Sequence, residues 1–349
     1  MTAPRLILHV GDRKTGTTTI QHVLDARARD PEAYGGTFGV HYPLTGRKVP
    51  QRITHVNLTY ELLDDKRFAP DLGGWADLAD ELQTAKPPLT VISSEGFESV
   101  PPAVVAEALA KHVPEGTEIT LVAYIRPHVD RIVASYAQNV KTGKYVRRLY
   151  TFARRAMRGR LGALHKRAAA WKDVFGDRYH VRPYARDLLM DRDVVADFLV
   201  GQVGLDPAVI QNLPPIPDEN PTPGVQVLEL IRQLTRAMTK NSTDLPTGAD
   251  QRVLAPLRAT LMELYPDDPK LRLSPEMADA CIETCMDDAQ AMDRDFMDGA
   301  PIFEGALRRS AEQARAAVAP APKDDRDAVF HAAYATAMAR LLRVRIDPT

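Results

Sequence analysis

The arrangement of apolar residues over the first 125 positions constrains the fold of this chain more than any other feature. Short runs rich in β-branched residues alternate there with amphipathic stretches, which is the pattern of βαβ units around a buried parallel sheet. These runs predict core strands at 6–10, 89–93 and 119–125, and weaker strands at 37–42 and 179–182. Helices are predicted at 17–28, 75–84, 102–112 and 128–140, and further along the chain at a segment that ends near 175–176 and at 194–203. We therefore expect an α/β fold with a mostly parallel central sheet.

The character of the sequence changes beyond residue 213. The segment 213–223, LPPIPDENPTP, holds so many prolines that it is predicted to be a connector, since proline donates no ladder or helix hydrogen bond. The chain is therefore predicted to divide into an α/β domain over 1–223 and a helical region over 224–349. Within that region, helices are predicted at 225–238, 251–264, 275–297 after a Ser274 cap, and 325–344.

The composition argues against several classes of protein. Of the 349 residues 44% are hydrophobic. The chain has 45 basic and 46 acidic residues, so its formal net charge of −1 provides no global electrostatic attraction to nucleic acid. Neither a membrane span nor a secretory leader is recognised, and a cytoplasmic protein is expected. Cys281 and Cys285 lie four apart on one predicted helix, where packing is expected rather than a disulfide or a metal site.

The loop after the first predicted strand carries the residues most specific for chemistry. Residues 11–19 read GDRKTGTTT and connect a buried strand to an amphipathic helix. Glycine lets the backbone approach a ligand, the helix N-terminus presents unpaired N–H groups, and Lys14 adds a positive charge to the hydroxyls of the threonines. This combination predicts a cradle for phosphate or sulfate. The alternative is a loop whose threonines only cap the helix, which leaves Lys14 and Gly16 unexplained.

The order of residues in this loop differs from that of nucleotide triphosphatases. Their loop reads G-x-x-x-x-G-K-[ST], with the lysine directly after the second glycine, whereas Lys14 precedes Gly16 here. There is thus no Walker-type match, and no clear strand-terminal aspartate is present to hold magnesium.

The sequence K-T-G-T-T after an apolar strand resembles the 5′-phosphosulfate-binding loop of the sulfotransferases that use 3′-phosphoadenosine 5′-phosphosulfate (PAPS), which reads K-x-G-[ST]-[ST]. Residues 9–21, HVGDRKTGTTTIQ, are most similar to bacterial carbohydrate-type members, although Asp12 and Arg13 add charge that the family loop lacks. The resemblance implies a P-loop-like three-layer core. It nominates the following residues to bind the donor: Lys14, Thr15, Gly16, Thr17, Thr18 and Thr19.

A second motif agrees with the first. The predicted strand at 119–125 is followed by RPHVDRIVASYAQ, which resembles the family motif where a strand-terminal arginine and a serine of the next helix hold the 3′-phosphate. The resemblance therefore nominates Arg126 and Ser135. Ser135 stands nine residues after the arginine, whereas the family serine stands at eight, the position of Ala134. Looser similarities at 171–189 and 219–232 extend the resemblance to residue 232.

Glu95 is the candidate catalytic base. It stands in the sequence SSEGF, just after the predicted strand at 89–93. The sulfotransferase resemblance implies a catalytic base at this strand end. The alternative is that Glu95 caps a helix or forms a salt bridge. Lys14 is the natural stabiliser of the charge that a loose in-line transfer develops. His9 is expected to be a core histidine, whereas His41 and His55 lie in a less regular region that is a candidate acceptor site.

The sequence thus predicts a PAPS-dependent sulfotransferase. It would move a sulfuryl group to a hydroxyl or amine of a carbohydrate or small metabolite, without metal, and release adenosine 3′,5′-bisphosphate (PAP). The alternatives are an ATP-dependent kinase-like phosphotransferase and a non-catalytic nucleotide- or nucleic-acid-binding protein, although no nucleic-acid partner is expected.

One further stretch, 145–167, is basic. It contains no acidic residue, and the basic ones are Arg147, Arg148, Arg154, Arg155, Arg158, Arg160, Lys166 and Arg167. A solvated helix face is its ordinary interpretation, and a lid that attracts an anionic donor or acceptor is its functional one.

Overall fold

The computed structural model describes residues 3–34, 39–48, 53–213, 222–239 and 248–316. The chain divides into two compact units. The first comprises Met1–Pro127, Leu164–Pro217 and Arg294–Ile302, and the second comprises His128–Ala163, Asp218–Asp293 and Phe303–Thr349. One division falls in the predicted connector. The second unit nevertheless differs from the predicted helical region, because it also includes residues 128–163.

Five parallel strands form the sheet of the first unit. They are β1 (Arg5–His9), β2 (Val40–His41), β3 (Leu89–Ser93), β4 (Glu118–Ile125) and β5 (Tyr179–Pro183), in the order β2-β3-β1-β4-β5. The predicted α/β class with a parallel sheet is confirmed. The start of the weak strand predicted at 37–42 lies outside the described residues.

The described helices follow the predicted pattern with three additions. In chain order they are α1 (Thr17–Arg29), α2 (Val56–Leu62), α3 (Trp75–Ala85), α4 (Pro102–His112), α5 (His128–Lys141), α6 (Leu149–Met157), α7 (Leu164–Phe175), α8 (Val194–Ala196), α9 (Val225–Thr239), α10 (Gly248–Leu264), α11 (Pro275–Phe296) and α12 (Ile302–Ala316). Sequence reasoning did not predict α2, α6 or α12. The helix predicted at 325–344 lies outside the described residues.

Two connections between strands run in opposite directions across the sheet. The connection through α1 runs from β1 past β3 to β2, whereas the connection through α4 runs from β3 across β1 to β4. With right-handed crossovers these connections lie on opposite faces of the sheet, which gives three layers. In agreement, α1 contacts α8, while α4 contacts α3 and α7.

This topology also positions a crevice. All the strands are parallel, so their carboxyl ends meet at one edge of the sheet. The loop after β1 leaves toward one face there, while the segments after β3 and β4 leave toward the other, which is where ligands of open α/β sheets bind. The register aligns His9 at the end of β1 with Ser93 at the end of β3.

The described part of the second unit is built from helices. Its core joins side chains of α5, α9 and α10, among them Val140, Ile231 and Leu257, all of which are buried. In α11, Cys281 and Cys285 are buried free thiols with their Sγ atoms 4.0 Å apart, so the expected packing role is confirmed. Among the described residues, no helix combines the length and the apolar character that crossing a bilayer requires.

Candidate functional site

The loop between β1 and α1 is a tight turn whose shape depends on Lys14 and Gly16. Both residues have left-handed backbone, with φ of 69° at Lys14 and 74° at Gly16. Gly16 is the N-cap residue of α1, and no side chain caps the helix there. The threonine cap that was the alternative interpretation is therefore not what the structure shows, and the first-turn N–H groups face the carboxyl edge of the sheet.

The threonines of the loop differ in burial. Thr15 and Thr17 are buried, and the Thr15 hydroxyl donates to the carbonyl oxygen of Asp12 at 2.5 Å. Thr18 is exposed and Thr19 is half-buried. The buried threonine at 15 therefore shapes the turn, whereas Thr18 and Thr19 have the exposure that a contact with a ligand requires.

Arg167 of α7 forms an ion pair with Asp12, the acidic residue in the loop between β1 and α1. Its Nη1 lies 3.0 Å from Oδ1 of Asp12, its Nη2 lies 3.3 Å from Oδ2, and it also pairs with Glu98. The Asp12 side chain is only 4% exposed, and this ion pair offsets the cost of burying its charge. Glu98 belongs to the 3₁₀ helix Glu95–Ser99 after β3. Arg167 thus ties that helix to the loop after β1.

Glu95 begins the 3₁₀ helix at the end of β3. The cap of this helix is Ser94, whose Oγ accepts from the Gly96 N–H at 3.1 Å, and Glu95 forms no ion pair with the described residues. Burial raises the pKa of Glu95, while the positive charges of Arg13 and Lys14 oppose that rise. Glu95 therefore lies within electrostatic reach of Lys14. A carboxylate with a raised pKa is a better proton acceptor near neutral pH.

Arg126 directly follows β4. Its guanidinium carbon lies 4.8 Å from the centroid of the Tyr184 ring. Tyr184 also approaches the loop, because a Cβ atom at Gly16 would lie 3.2 Å from the Tyr184 hydroxyl and 2.7 Å from Cγ1 of Val194. Tyr184 therefore links Arg126 to the loop after β1, and these neighbours exclude any larger residue at Gly16.

Ser135 lies in α5, which belongs to the second unit. It is half-buried, and its carbonyl oxygen accepts from the Asn139 side chain at 2.8 Å. The structure thus gathers Lys14, Glu95 and Arg126 at one edge of the sheet, whereas the assignment of Ser135 stays a prediction.

The histidines near the site have structural partners. His9 is buried with its Nδ1 2.9 Å from the Ser93 hydroxyl, as expected for a core histidine. His55 Nδ1 accepts from the Ser93 N–H at 3.1 Å, and its Nε2 donates to the carbonyl of Pro43 at 3.0 Å. Burial lowers the pKa of each ring to about 3, so both are neutral. They fix the end of β3, two residues before Glu95, whereas His41 pairs with Glu81 at 3.1 Å.

Sequence reasoning missed two members of this site. Arg167 stands 155 positions from Asp12, and no local signal separates it from the other cations of the basic stretch. Tyr184 had a signal, because it is the tyrosine of the segment 171–189 that extends the family resemblance.

The arrangement combines a cation, a carboxylate of raised pKa and an arginine around a helix N-terminus. Such a group of residues can bind an anion and accept a proton. Within the described residues, no cluster of three or more His, Cys, Asp or Glu side chains is arranged to hold a metal ion. Comparison with models of protein families, with curated proteins and with solved structures finds no match to this chain.

Proposed function

We propose that this chain is a PAPS-dependent sulfotransferase. The observation that carries the proposal is the convergence of three residues from separate segments on one edge of the sheet. Lys14 comes from the loop after β1, Glu95 follows β3 and Arg126 follows β4. Each was nominated from sequence for a different part of the same reaction, and the topology supports their cooperation.

The crevice suits a donor with two anionic ends. The first-turn N–H groups of α1 and the ammonium of Lys14 would bind the 5′-phosphosulfate, because a helix N-terminus favours negative charge. The guanidinium of Arg126 would bind the 3′-phosphate, since its planar fork can contact two oxygens at once. Thr18 and Thr19 add exposed or half-exposed hydroxyls to the first group. PAPS, when bound, supplies the activated sulfuryl group.

Lys14 and Glu95 divide the chemistry of transfer between them. Lys14 neutralises the charge that develops on the bridging oxygen as its bond to sulfur breaks and PAP leaves. Glu95 accepts the proton of the acceptor hydroxyl or amine as the new bond to sulfur forms. The acceptor class that we propose is a carbohydrate or another small metabolite with a hydroxyl or amine, on the similarity of residues 9–21 to bacterial carbohydrate-type members.

Calorimetric titration of the full chain with PAP, and in parallel with ATP plus magnesium, tests the donor site. We expect PAP to bind without a metal. Arg126→Ala should weaken PAP about ten- to a hundredfold, because charge-assisted hydrogen bonds to the 3′-phosphate are lost, and should change the affinity for adenosine 5′-phosphate little.

Two results would overturn this assignment. Binding of ATP with magnesium but not of PAP would identify a phosphotransferase. Equal losses of PAP and adenosine 5′-phosphate in Arg126→Ala would show that the arginine does not bind the 3′-phosphate.

A further inference from the structure

The second unit carries an exposed cationic surface around α6 that the proposed function does not use. We define the α6 basic surface by residues that are all exposed: Lys144, Arg147, Arg148, Arg154, Arg155 and Arg158. None of them forms an ion pair with a carboxylate among the residues that the structure describes. The stretch 145–167 also contains no acidic residue of its own, although the carboxylate of Glu229 lies within electrostatic reach of Arg148.

The cations occupy both ends of α6, although only one end favours them. Arg154 and Arg155 lie in the last turn, where the helix dipole stabilises positive charge. Arg148 is the N-cap residue and Arg147 precedes it, where the same dipole opposes positive charge. Mutual repulsion among like charges adds to this cost. An arrangement that opposes the stability of its own helix is typical of a binding surface for anions.

The apolar side of α6 is occupied within its own unit. Ala153 and Met157 are buried. The Phe152 ring lies 5.6 Å from the ring of Tyr136 and 5.1 Å from that of Tyr145, centroid to centroid. The helix therefore presents its basic side together with Tyr150, whose side chain is 57% exposed.

We propose that the α6 basic surface binds the anionic headgroups of a lipid bilayer. Each Lys or Arg near such a surface adds attraction, and a tyrosine is suited to the headgroup region. Tyr150 is placed for this role, because the Arg154 guanidinium lies 5.6 Å from its ring centroid and cation and ring can reach the same depth. The binding is peripheral and electrostatic, because the apolar side of α6 is not available to enter the bilayer.

The same observations count against a single-stranded nucleic acid as the partner. Strand-binding surfaces stack successive bases on several exposed aromatic rings. Here Tyr136, Tyr145 and Phe152 contact one another, and of the aromatic residues around α6 only Tyr150 is exposed. A planar array of headgroups needs only charge and one interfacial ring.

Co-sedimentation of the full chain with vesicles tests the proposal. The vesicles contain phosphatidylcholine alone, or phosphatidylcholine with one quarter phosphatidylglycerol. We expect binding only to the anionic vesicles, weakened by added salt. The double variant Arg154→Gln, Arg155→Gln should lower the partition coefficient about 30-fold, because two attractive charges near the surface are lost.

The matched control is Arg308→Gln, Arg309→Gln, which removes the same charge from two adjacent exposed arginines of α12. It should bind the anionic vesicles as the wild type does. Thermal unfolding curves of both variants show whether they are folded. The co-sedimentation assay does not depend on turnover, so its outcome is independent of the sulfotransferase proposal.

Equal losses of vesicle binding in the two double variants, or no binding of the wild type to anionic vesicles, would overturn the inference. Retention on duplex DNA or heparin without vesicle binding would also overturn it and identify a polymer as the partner.

Discussion

At each of the two edges of the parallel sheet, the carboxyl edge and the amino edge, one lysine has a left-handed backbone conformation. A comparison of the two lysines shows at which edge the strained backbone places a charge in a candidate site. Lys14, with φ of 69°, lies at the carboxyl edge after β1. Lys86, with φ of 45°, follows α3 and precedes β3 at the amino edge. Such a backbone costs a residue with a side chain about 1–2 kcal/mol. Glycine would meet the geometry at either position, but only at Lys14 would it remove a charge from a candidate site.

Lys14 has charged neighbours, whereas Lys86 borders a mainly apolar cavity. Near Lys14 stand Glu95 and the buried pair of Asp12 with Arg167. Near Lys86 is a cavity of about 500 Å³ with mainly apolar walls, which include Pro4, Leu6, Leu82, Pro87, Pro88, Val113 and Pro114. The direction of the strands explains the contrast, because it brings the N-terminus of α1 to the carboxyl edge. We therefore expect chemistry at the carboxyl edge only.

The largest effect is expected for Lys14→Gly. Turnover should fall at least about a thousandfold, because the cation that stabilises the leaving group is lost. Thermal stability should stay the same or rise, since glycine adopts a φ of 69° without steric cost. Steady-state kinetics with PAPS and a thermal unfolding curve measure the two effects. Wild-type turnover in this variant would remove Lys14 from the mechanism.

Glu95→Gln should reduce turnover about a hundred- to ten-thousandfold and leave the affinity for PAP nearly unchanged, because general-base catalysis is lost without a change in the donor site. The pH dependence of the wild type gives a second test. Because burial raises the pKa of Glu95, its carboxylate is protonated at a higher pH than that of a free glutamate. Turnover should therefore fall as the pH decreases through this raised value, and the variant should lack that limb of the profile.

The same raised pKa predicts a change in stability. The charged form of Glu95 is less favourable in the folded chain than in the unfolded chain, so protonation favours folding. Glu95→Gln should therefore increase the free energy of unfolding at neutral pH, and the gain should disappear below the pKa of free glutamate. Denaturant unfolding at neutral pH and at a pH below the pKa of free glutamate measures this gain in the free energy of unfolding. A gain that is the same at both values would contradict the raised pKa.

Elements with a strong local pattern were predictable, whereas contacts between distant segments were not. The predicted bounds of β3 and α4 agree with the structure at both ends, because a β-branched run and a proline-led helix mark them locally. The strand-end positions of Glu95 and Arg126 followed from such elements. The pairing of Asp12 with Arg167 depends instead on the packing of α7 near the loop after β1. The sequence alone thus showed Asp12 only as an unexplained charge.

Arg167→Met is expected to have a smaller effect than the catalytic variants and to act through stability. It removes the Arg167 ion pairs from the largely buried carboxylates of Asp12 and Glu98, which should lower the free energy of unfolding by about 3 kcal/mol. Denaturant unfolding measures the loss. Adding Asp12→Asn and Glu98→Gln should restore much of the stability, because the two negative charges that Arg167 offsets are then removed. Failure of this rescue would mean that Arg167 contributes through packing and not by neutralising the two carboxylates.

The smallest effect is expected at the amino edge. Lys86 ends α3 with its N–H donating to the carbonyl of Leu82 at 2.9 Å, a position that favours glycine. Lys86→Gly should raise the free energy of unfolding by about 0.5 kcal/mol, since relief of the left-handed backbone exceeds the added entropy of the unfolded chain. Turnover and PAP affinity should be unchanged in this variant, which makes it the matched control for Lys14→Gly. A loss of turnover in Lys86→Gly would remove the distinction between the two edges and bring the apolar cavity into the functional site.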